Sequence, residues 1–394
     1  MKLLSWYPNF PNILNTQRGR KLSKTRVTTI VGTRPEIIRM SEIIKKFDQH
    51  FDHRLVHTGQ NSDKNLKDVF FTDLGLRLPD VIFEGEHSSL GSFLGSLFVK
   101  MERELVENRP DAVVILGDTN SALSAILVKR FGIPIYHLEA GNRSFDANVP
   151  EEINRRIVDH TSDFNMVYTT LARNNLIAEG IPARKLALTG TPLLEVINAN
   201  KEKIHKSKVL DDLKLKPKGY FLVSAHRQEN VDFANRLDLL LESLEAVAEK
   251  YKLPVLISTH PRTRKKLKGH KALINPLLTF HEPFGFLDYV KLQANARMVL
   301  SDSGTISEES AILGFPAITI RDSMERPEAL EAGSIVMSGI EKSRLLETIE
   351  LVENSKPSSV PPIEYQIPDT STRIVNFLIS TVHQHAFWNG LHKN

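Results

Sequence analysis

The chain of 394 residues contains no cysteine. That absence excludes disulfides, thiolate nucleophiles and cysteine-ligated metals, and it fits a reducing compartment. Charge of one sign is also missing. Lysine and arginine number 51 against 47 aspartates and glutamates, a net +4. No basic field marks the surface for nucleic acid, so nucleic acid is not an expected partner, although a mildly positive crevice for phosphate would suit the same balance. No apolar run approaches the ~20 residues of a membrane helix, so no membrane partner is expected either. Residues 1–25, rich in proline, asparagine and basic side chains, lack the apolar centre of a signal peptide and are read as an extension before the first strand. The GxGxxG dinucleotide fingerprint does not follow that strand, which argues against NAD. Histidines are too scattered to specify a metal site.

What is present is a steady alternation of short apolar runs and longer amphipathic ones. VTTIVG, HRLVHTG, DAVVILGD, PIYHLEAG and DFNMVYTT in the first half, and YFLVSAH, PVLISTHP, ARMVLSDSG and PAITIRD in the second, read as strands. Helix-length segments such as PEIIRMSEIIKKF separate them. This order predicts α/β architecture with parallel, doubly wound sheets, and the length calls for two domains. The expected division is an extension over 1–25, a first Rossmann-like domain over 26–197, a lysine-rich linker over 198–219, a second domain over 220–370, and a final helix over 371–394 crossing back to the first.

Several candidate site residues follow strand ends, where parallel sheets present their ligands. The richest segment is HLEAGNRSFDANVPEEINRRIVDH, residues 137–160, read as the end of a strand over Ile133–His137. It places Glu139, Glu151, Glu152, Arg155 and Arg156 together, which suits proton transfer beside an anion; a charged helix start opened by Pro150 is the rival reading. Asp118, after VVILG, is either another pocket carboxylate or the N-cap of the next helix. Clustered carboxylates of this kind repel and titrate apart, as general acids and bases must. In VGTRPE, Gly32 permits a tight turn and Arg34 would share an anion with the helix amino end. SDSGTISEE repeats the arrangement, with Ser303, Gly304 and Thr305 at a helix start suited to a diphosphate and Glu309 aimed at a ligand hydroxyl. Thr305 and Glu308 have capping-box spacing, which makes Glu308 structural. His226 and Arg227 in SAHRQEN, and His260 in STHPRT, follow further strands as a proton donor and charge holders, or as hydrogen-bonded structural groups.

The ordered set GTRPE, HTGQ, GDTNS, HLEAG, PEEINR, AHRQEN, SDSGTISEE and ERPEA closely resembles the non-hydrolysing UDP-N-acetylhexosamine 2-epimerases over residues 26–380. The resemblance implies a GT-B-like fold, two Rossmann-like domains with a UDP-sugar in the central cleft, no metal or other cofactor, and a cytoplasmic homodimer. It also implies a route: UDP is eliminated as the proton leaves carbon 2, a glycal stays bound, and UDP returns with the proton on the opposite face. Carried over motif by motif, Asp118, Glu139 and Glu151 form the acid/base set. His226 and Arg34 serve the departing UDP, with Ser303 and Gly304 at the diphosphate, Glu309 at the ribose, Arg326 of ERPEA in support, and Arg155 at the carboxylates. Three departures stand out. Arg39 replaces a common lysine, EAGNRSFDANVPEE is two residues shorter than in enzymes acting on UDP-GlcNAc, and TGQNSD lacks a histidine associated with activation by that sugar. The short segment is similar to the branch that forms UDP-N-acetyl-L-fucosamine, with UDP-GlcNAc to UDP-ManNAc the alternative; a GT-B glycosyltransferase is the alternative of another class.

Overall fold

The computed structural model describes residues 24–61, 70–146, 148–225, 234–259, 267, 275–355 and 360–391. Among the described residues thirteen strands form two sheets, with every pairing parallel. The first sheet contains β1 (Arg26–Val31), β2 (Asp52–His57), β3 (Val81–Ile82), β4 (Ala112–Leu116), β5 (Ile135–Ala140), β6 (Phe164–Val167) and β7 (Leu186–Leu188), in the order β3-β2-β1-β4-β5-β6-β7. The second contains β8 (Phe221–Ser224), β9 (Val255–Ser258), β10 (Leu278–His281), β11 (Met298–Ser301), β12 (Ala317–Thr319) and β13 (Val336–Met337), ordered β10-β9-β8-β11-β12-β13. Central strands such as AVVIL of β4 are buried along their whole length, because helices cover both sheet faces.

These orders fix where ligands belong. In each sheet the winding reverses once, between β1 and β4 in the first and between β8 and β11 in the second. An open parallel sheet has its crevice outside the carboxyl ends at that reversal. GTRPE and GDTNS follow β1 and β4, and SDSGT follows β11. The motif residues after β8, His226 and Arg227, lie outside the described residues, as does His260.

Packing separates the two halves and then ties them together. Ile204 packs against the core of the first sheet, whereas Val209 is buried in that of the second. The stretch read as a linker over 198–219 begins at the end of the helix Leu193–Ala199 and contains two short helices, Lys201–Lys206 and Val209–Asp212, so the chain changes cores within a few residues. The helix Thr370–Thr381 buries Ile374, Val375 and Leu378 in the first core, beside the helix Arg34–His50. Each such side chain contributes roughly 1.5–3 kcal/mol of burial. Tyr136 on β5 hydrogen-bonds Thr381 at 2.7 Å, and Lys46 donates to Thr372 at 2.8 Å. Among the described residues no helix is long and apolar enough to cross a membrane.

One element differs from the sequence reading in a way that matters. β5 runs Ile135–Ala140, so Glu139 lies inside the strand rather than after it. Its φ is +63, and the register with β6 shifts between Leu138 and Ala140. A non-glycine residue held there carries about 1–3 kcal/mol of strain, which surrounding contacts must offset. The apolar pattern shows where a strand sits but not where it bulges.

Candidate active site

The turn after β1 is built around Glu36. Its carboxylate accepts the Gly32 and Thr33 amides at 2.5 and 3.0 Å and the Thr119 hydroxyl at 2.6 Å, so one acid joins the ends of β1 and β4. Burial drives its pKa up to about 7 against these hydrogen bonds. A Cβ at Gly32 would collide with the Ser121 and Thr58 hydroxyls, which hydrogen-bond each other at 2.7 Å. GTRPE, HTGQ and GDTNS thus meet at one point. Arg34 opens the helix Arg34–His50 and lies 5.7 Å over the Phe70 ring.

Asp118 follows Gly117, whose φ of +76 makes the turn after β4. It pairs with Arg155, which also donates to the Glu139 backbone carbonyl at 2.7 Å and lies 3.6 Å from the Glu139 carboxylate. Glu139 is met by Arg326 at 2.6 Å and Arg39 at 3.2 Å. Helical phase sorts the four charged residues of PEEINRR. Arg155 is buried inward, while Arg156 turns to Glu152 and Glu179 at 2.9 and 3.3 Å. Glu152 receives the Ser144 amide at 2.8 Å and so anchors the loop that precedes this helix. Glu151, half-buried in the first turn, is close enough to Asp118 for its charge to raise the Asp118 pKa.

The two central carboxylates are driven apart. Burial pushes Asp118 up to about 6, opposed by Arg155 and reinforced by Glu325, Glu139 and Glu151. Burial acts on Glu139 as well, but Arg39, Arg326 and Arg155 together hold it below the ordinary carboxylate value. Acid and base assignments in enzymes rest on this kind of separation.

The second domain reaches into the same cluster. Glu308, on the helix Ile306–Leu313, is fully buried and meets Arg39 at 3.0 Å, Arg326 at 2.8 Å and the Thr191 hydroxyl at 2.5 Å. The capping-box reading of Glu308 is therefore corrected. Thr305 sits at that helix start, but its hydroxyl donates to Glu309 at 2.8 Å, and the Glu308 carboxylate leaves the helix to cross between domains. Glu309 also accepts from Gln293 at 2.5 Å; burial raises its pKa against those two hydrogen bonds. Ser303 lies 2.9 Å from the Thr305 hydroxyl, with Gly304 between them.

Asp118, Glu139, Glu308 and Glu325 are thus matched by Arg39, Arg155, Arg321 and Arg326, four charges of each sign in a buried group. Asp118, Glu139, Arg155 and Arg326 are brought into direct contact; Ser303, Thr305 and Glu309 form a neighbouring cluster. Sequence reasoning gave no site role to Arg39, Glu36, Glu308, Glu325 or Gln293. Arg39 carried a signal, since a cation on the buried face of an amphipathic helix calls for a partner. Gln293 carried none. Asp118 and Glu139 each face a guanidinium, and among the described residues no group of three or more histidines or carboxylates has metal-holding geometry.

Two parallel sheets facing one charged cleft define a GT-B-like α/β protein. The family model described as UDP-N-acetylglucosamine 2-epimerase matches residues 45–379. A protein of that name from Methanocaldococcus jannaschii is 37% identical over 346 residues, covering 84% of this chain and 93% of its own. The solved structure of UDP-N-acetylglucosamine 2-epimerase from Rickettsia bellii superposes with a TM-score of 0.86 at 43% identity, over 92% of this chain and 98% of that one. The M. jannaschii UDP-GlcNAc 2-epimerase in complex with UDP-GlcNAc and UDP gives 0.85 at 35% identity, over 90% and 100%. The chain belongs to the UDP-N-acetylglucosamine 2-epimerase family and is an isomerase.

Proposed function

We propose that the protein inverts carbon 2 of a UDP-N-acetylhexosamine by eliminating and re-adding UDP through a bound glycal. The observation that carries this is the meeting of Asp118 and Glu139 at one guanidinium, Arg155, in a pocket where burial raises the pKa of the first and arginines lower that of the second. Removing a carbon-2 proton and delivering it to the other face needs two groups in different protonation states. Glu151, from a third element, completes the set. The crevice of the second domain, with Ser303, Gly304, Thr305 and Glu309, takes UDP; Arg34, Arg326 and, by motif, His226 and Arg227 stabilise its diphosphate as it leaves. The protein works without metal, in the cytoplasm, as a homodimer.

For the sugar we infer UDP-2-acetamido-2,6-dideoxy-L-talose, converted to UDP-N-acetyl-L-fucosamine for surface polysaccharide. The support is the shortened segment 139–152, held compact by the Glu152 contact to Ser144. Conversion of UDP-GlcNAc to UDP-ManNAc is a second reading, favoured by the ligands of the M. jannaschii structure. Incubation with each UDP-sugar in deuterated water, followed by NMR, decides both points. The expected result is an epimer carrying deuterium at carbon 2. Epimer without deuterium would reject the glycal route, and transfer of sugar to an acceptor would favour a glycosyltransferase.

A further inference from the structure

His137 lies on β5 two residues before Glu139 and is wholly buried. Its Nε2 is 2.7 Å from the Gly117 carbonyl, an acceptor only, so this nitrogen carries the proton and donates. Its Nδ1 lies 2.9 Å from the Asp159 carboxylate, likewise an acceptor only, and so faces it as a second N–H, in an ionic contact rather than an aligned hydrogen bond. Gly117 immediately precedes Asp118. Asp159 belongs to the helix Pro150–Thr161, which also carries Glu151 and Arg155. One imidazole therefore joins the three elements that bear the three carboxylates.

Asp159 extends the linkage to the kink. Its oxygens accept the Gly141 amide at 3.3 and 3.2 Å and Arg143 Nη1 at 2.7 Å. Four residues earlier on the same helix, Arg155 holds the Glu139 carbonyl at 2.7 Å. The backbone at and just after the strained Glu139 is thus gripped from one helix, and His137, two residues before it, fastens that helix to the end of β4.

We propose that His137 is a positioning residue: through Gly117 and Asp159 it sets the separation of Asp118 and Glu139 and keeps Glu139 in its left-handed conformation. It touches no substrate. The inference rests on reading Asp118 and Glu139 as the acid/base pair. A buried histidine serving packing alone would leave the proton-transfer rate untouched once the protein is folded.

The test compares His137→Leu, which removes both contacts, with His137→Gln, which keeps an N–H for the Gly117 carbonyl. It reads kcat, KM, UDP affinity and hydrogen exchange at the Gly141 amide. In His137→Leu, kcat should fall about tenfold to a hundredfold, the scale of a small misplacement of reacting groups, with KM and UDP affinity within about twofold. The Gly141 amide should exchange faster, and His137→Gln should recover much of the lost kcat. A folded His137→Leu protein with wild-type kcat would overturn the inference. So would parallel loss of kcat and UDP affinity that glutamine does not rescue. If the leucine variant does not fold, His137→Asn, polar but too short to bridge both partners, takes its place under the same criteria. Should the wild type epimerise no UDP-sugar, the acid/base reading fails; the Gly141 exchange still decides whether His137 holds the kink.

Discussion

The two strand-end crevices face one cleft but are built from different material. Behind β1, β4 and β5 the first domain concentrates ionised groups, with Asp118 and Glu139 set among its own Arg39 and Arg155 and the second domain's Arg326. Behind β11 the second domain offers hydroxyls, a glycine and the carboxylate of Glu309, oriented by Thr305 and Gln293. Glu308 and Glu309 show the contrast at adjacent positions. Glu308 spans the cleft to Arg39 of the first domain while also meeting Arg326 of its own, whereas Glu309 accepts from Thr305 and Gln293 of its own domain. Proton transfer needs strong fields that split acidities; holding a nucleotide needs fixed hydrogen-bonding groups. On the proposed mechanism, the difference between the regions is a division of labour between making and breaking bonds and gripping what is held.

The largest effect that could break this contrast is on turnover. Asp118→Asn, Glu139→Gln and Glu151→Gln preserve shape while removing base function. At least two of the three should lose a hundredfold or more in kcat, given acid/base contributions of about 10²–10⁴. UDP affinity by calorimetry should be retained. Near-normal turnover in all three would defeat the mechanism, and lost UDP binding would show that the first region also grips.

A smaller effect concerns stability against pH. Glu36 is lifted by burial from 4.5 to about 7, and Asp118 from 3.8 to about 6. A carboxylate raised in the folded state contributes stability that is complete below its unfolded value and is lost as pH rises through the folded one. Between about pH 4.5 and 7 the unfolded chain ionises at Glu36 while the native protein holds the proton. Glu36→Gln removes this dependence and retains the acceptor for the two amides. The variant should gain on the wild type by up to about 3 kcal/mol across that window, read as the difference in denaturant midpoints. A constant difference at all pH values would show that Glu36 ionises normally.

How much of this was legible depends on the kind of signal. The central strands β1, β4, β5, β8 and β11 are apolar runs of four to six residues and stand out in the sequence. The edges β3 and β13, two residues each, leave no periodicity to read. Asp118, Glu139 and Arg155 were visible because strand-end chemistry is local. The partnership of Arg39 with Glu308, 269 residues apart, was not, since pairing across a cleft has no spacing rule. Glu308 was misread because Thr305-x-x-Glu308 satisfies a local pattern that a longer-range ion pair overrides. The kink at Glu139 is fixed by Arg155 and Asp159, on another element, and strand propensity carries no trace of it.

The smallest effect sharpens the second region. Glu309→Ala should weaken UDP binding by roughly 1–3 kcal/mol, the value of a hydrogen bond to a charged group. Thr305→Val removes the hydroxyl that aims Glu309 but leaves Gln293 holding its other oxygen, so the loss should be about 0.5–1.5 kcal/mol. If Thr305 acts through Glu309, the two losses are not additive: once Glu309 is alanine, Thr305→Val should cost almost nothing more. Calorimetric titration of UDP into the wild type, both single variants and the double variant closes that cycle. A Thr305 effect that persists in full beside alanine would mean the hydroxyl contacts UDP itself, and the second region would then grip through its hydroxyls rather than through a carboxylate they orient. A Glu309→Ala protein with unchanged affinity would remove the carboxylate from the nucleotide site, leaving the helix start as its main anchor.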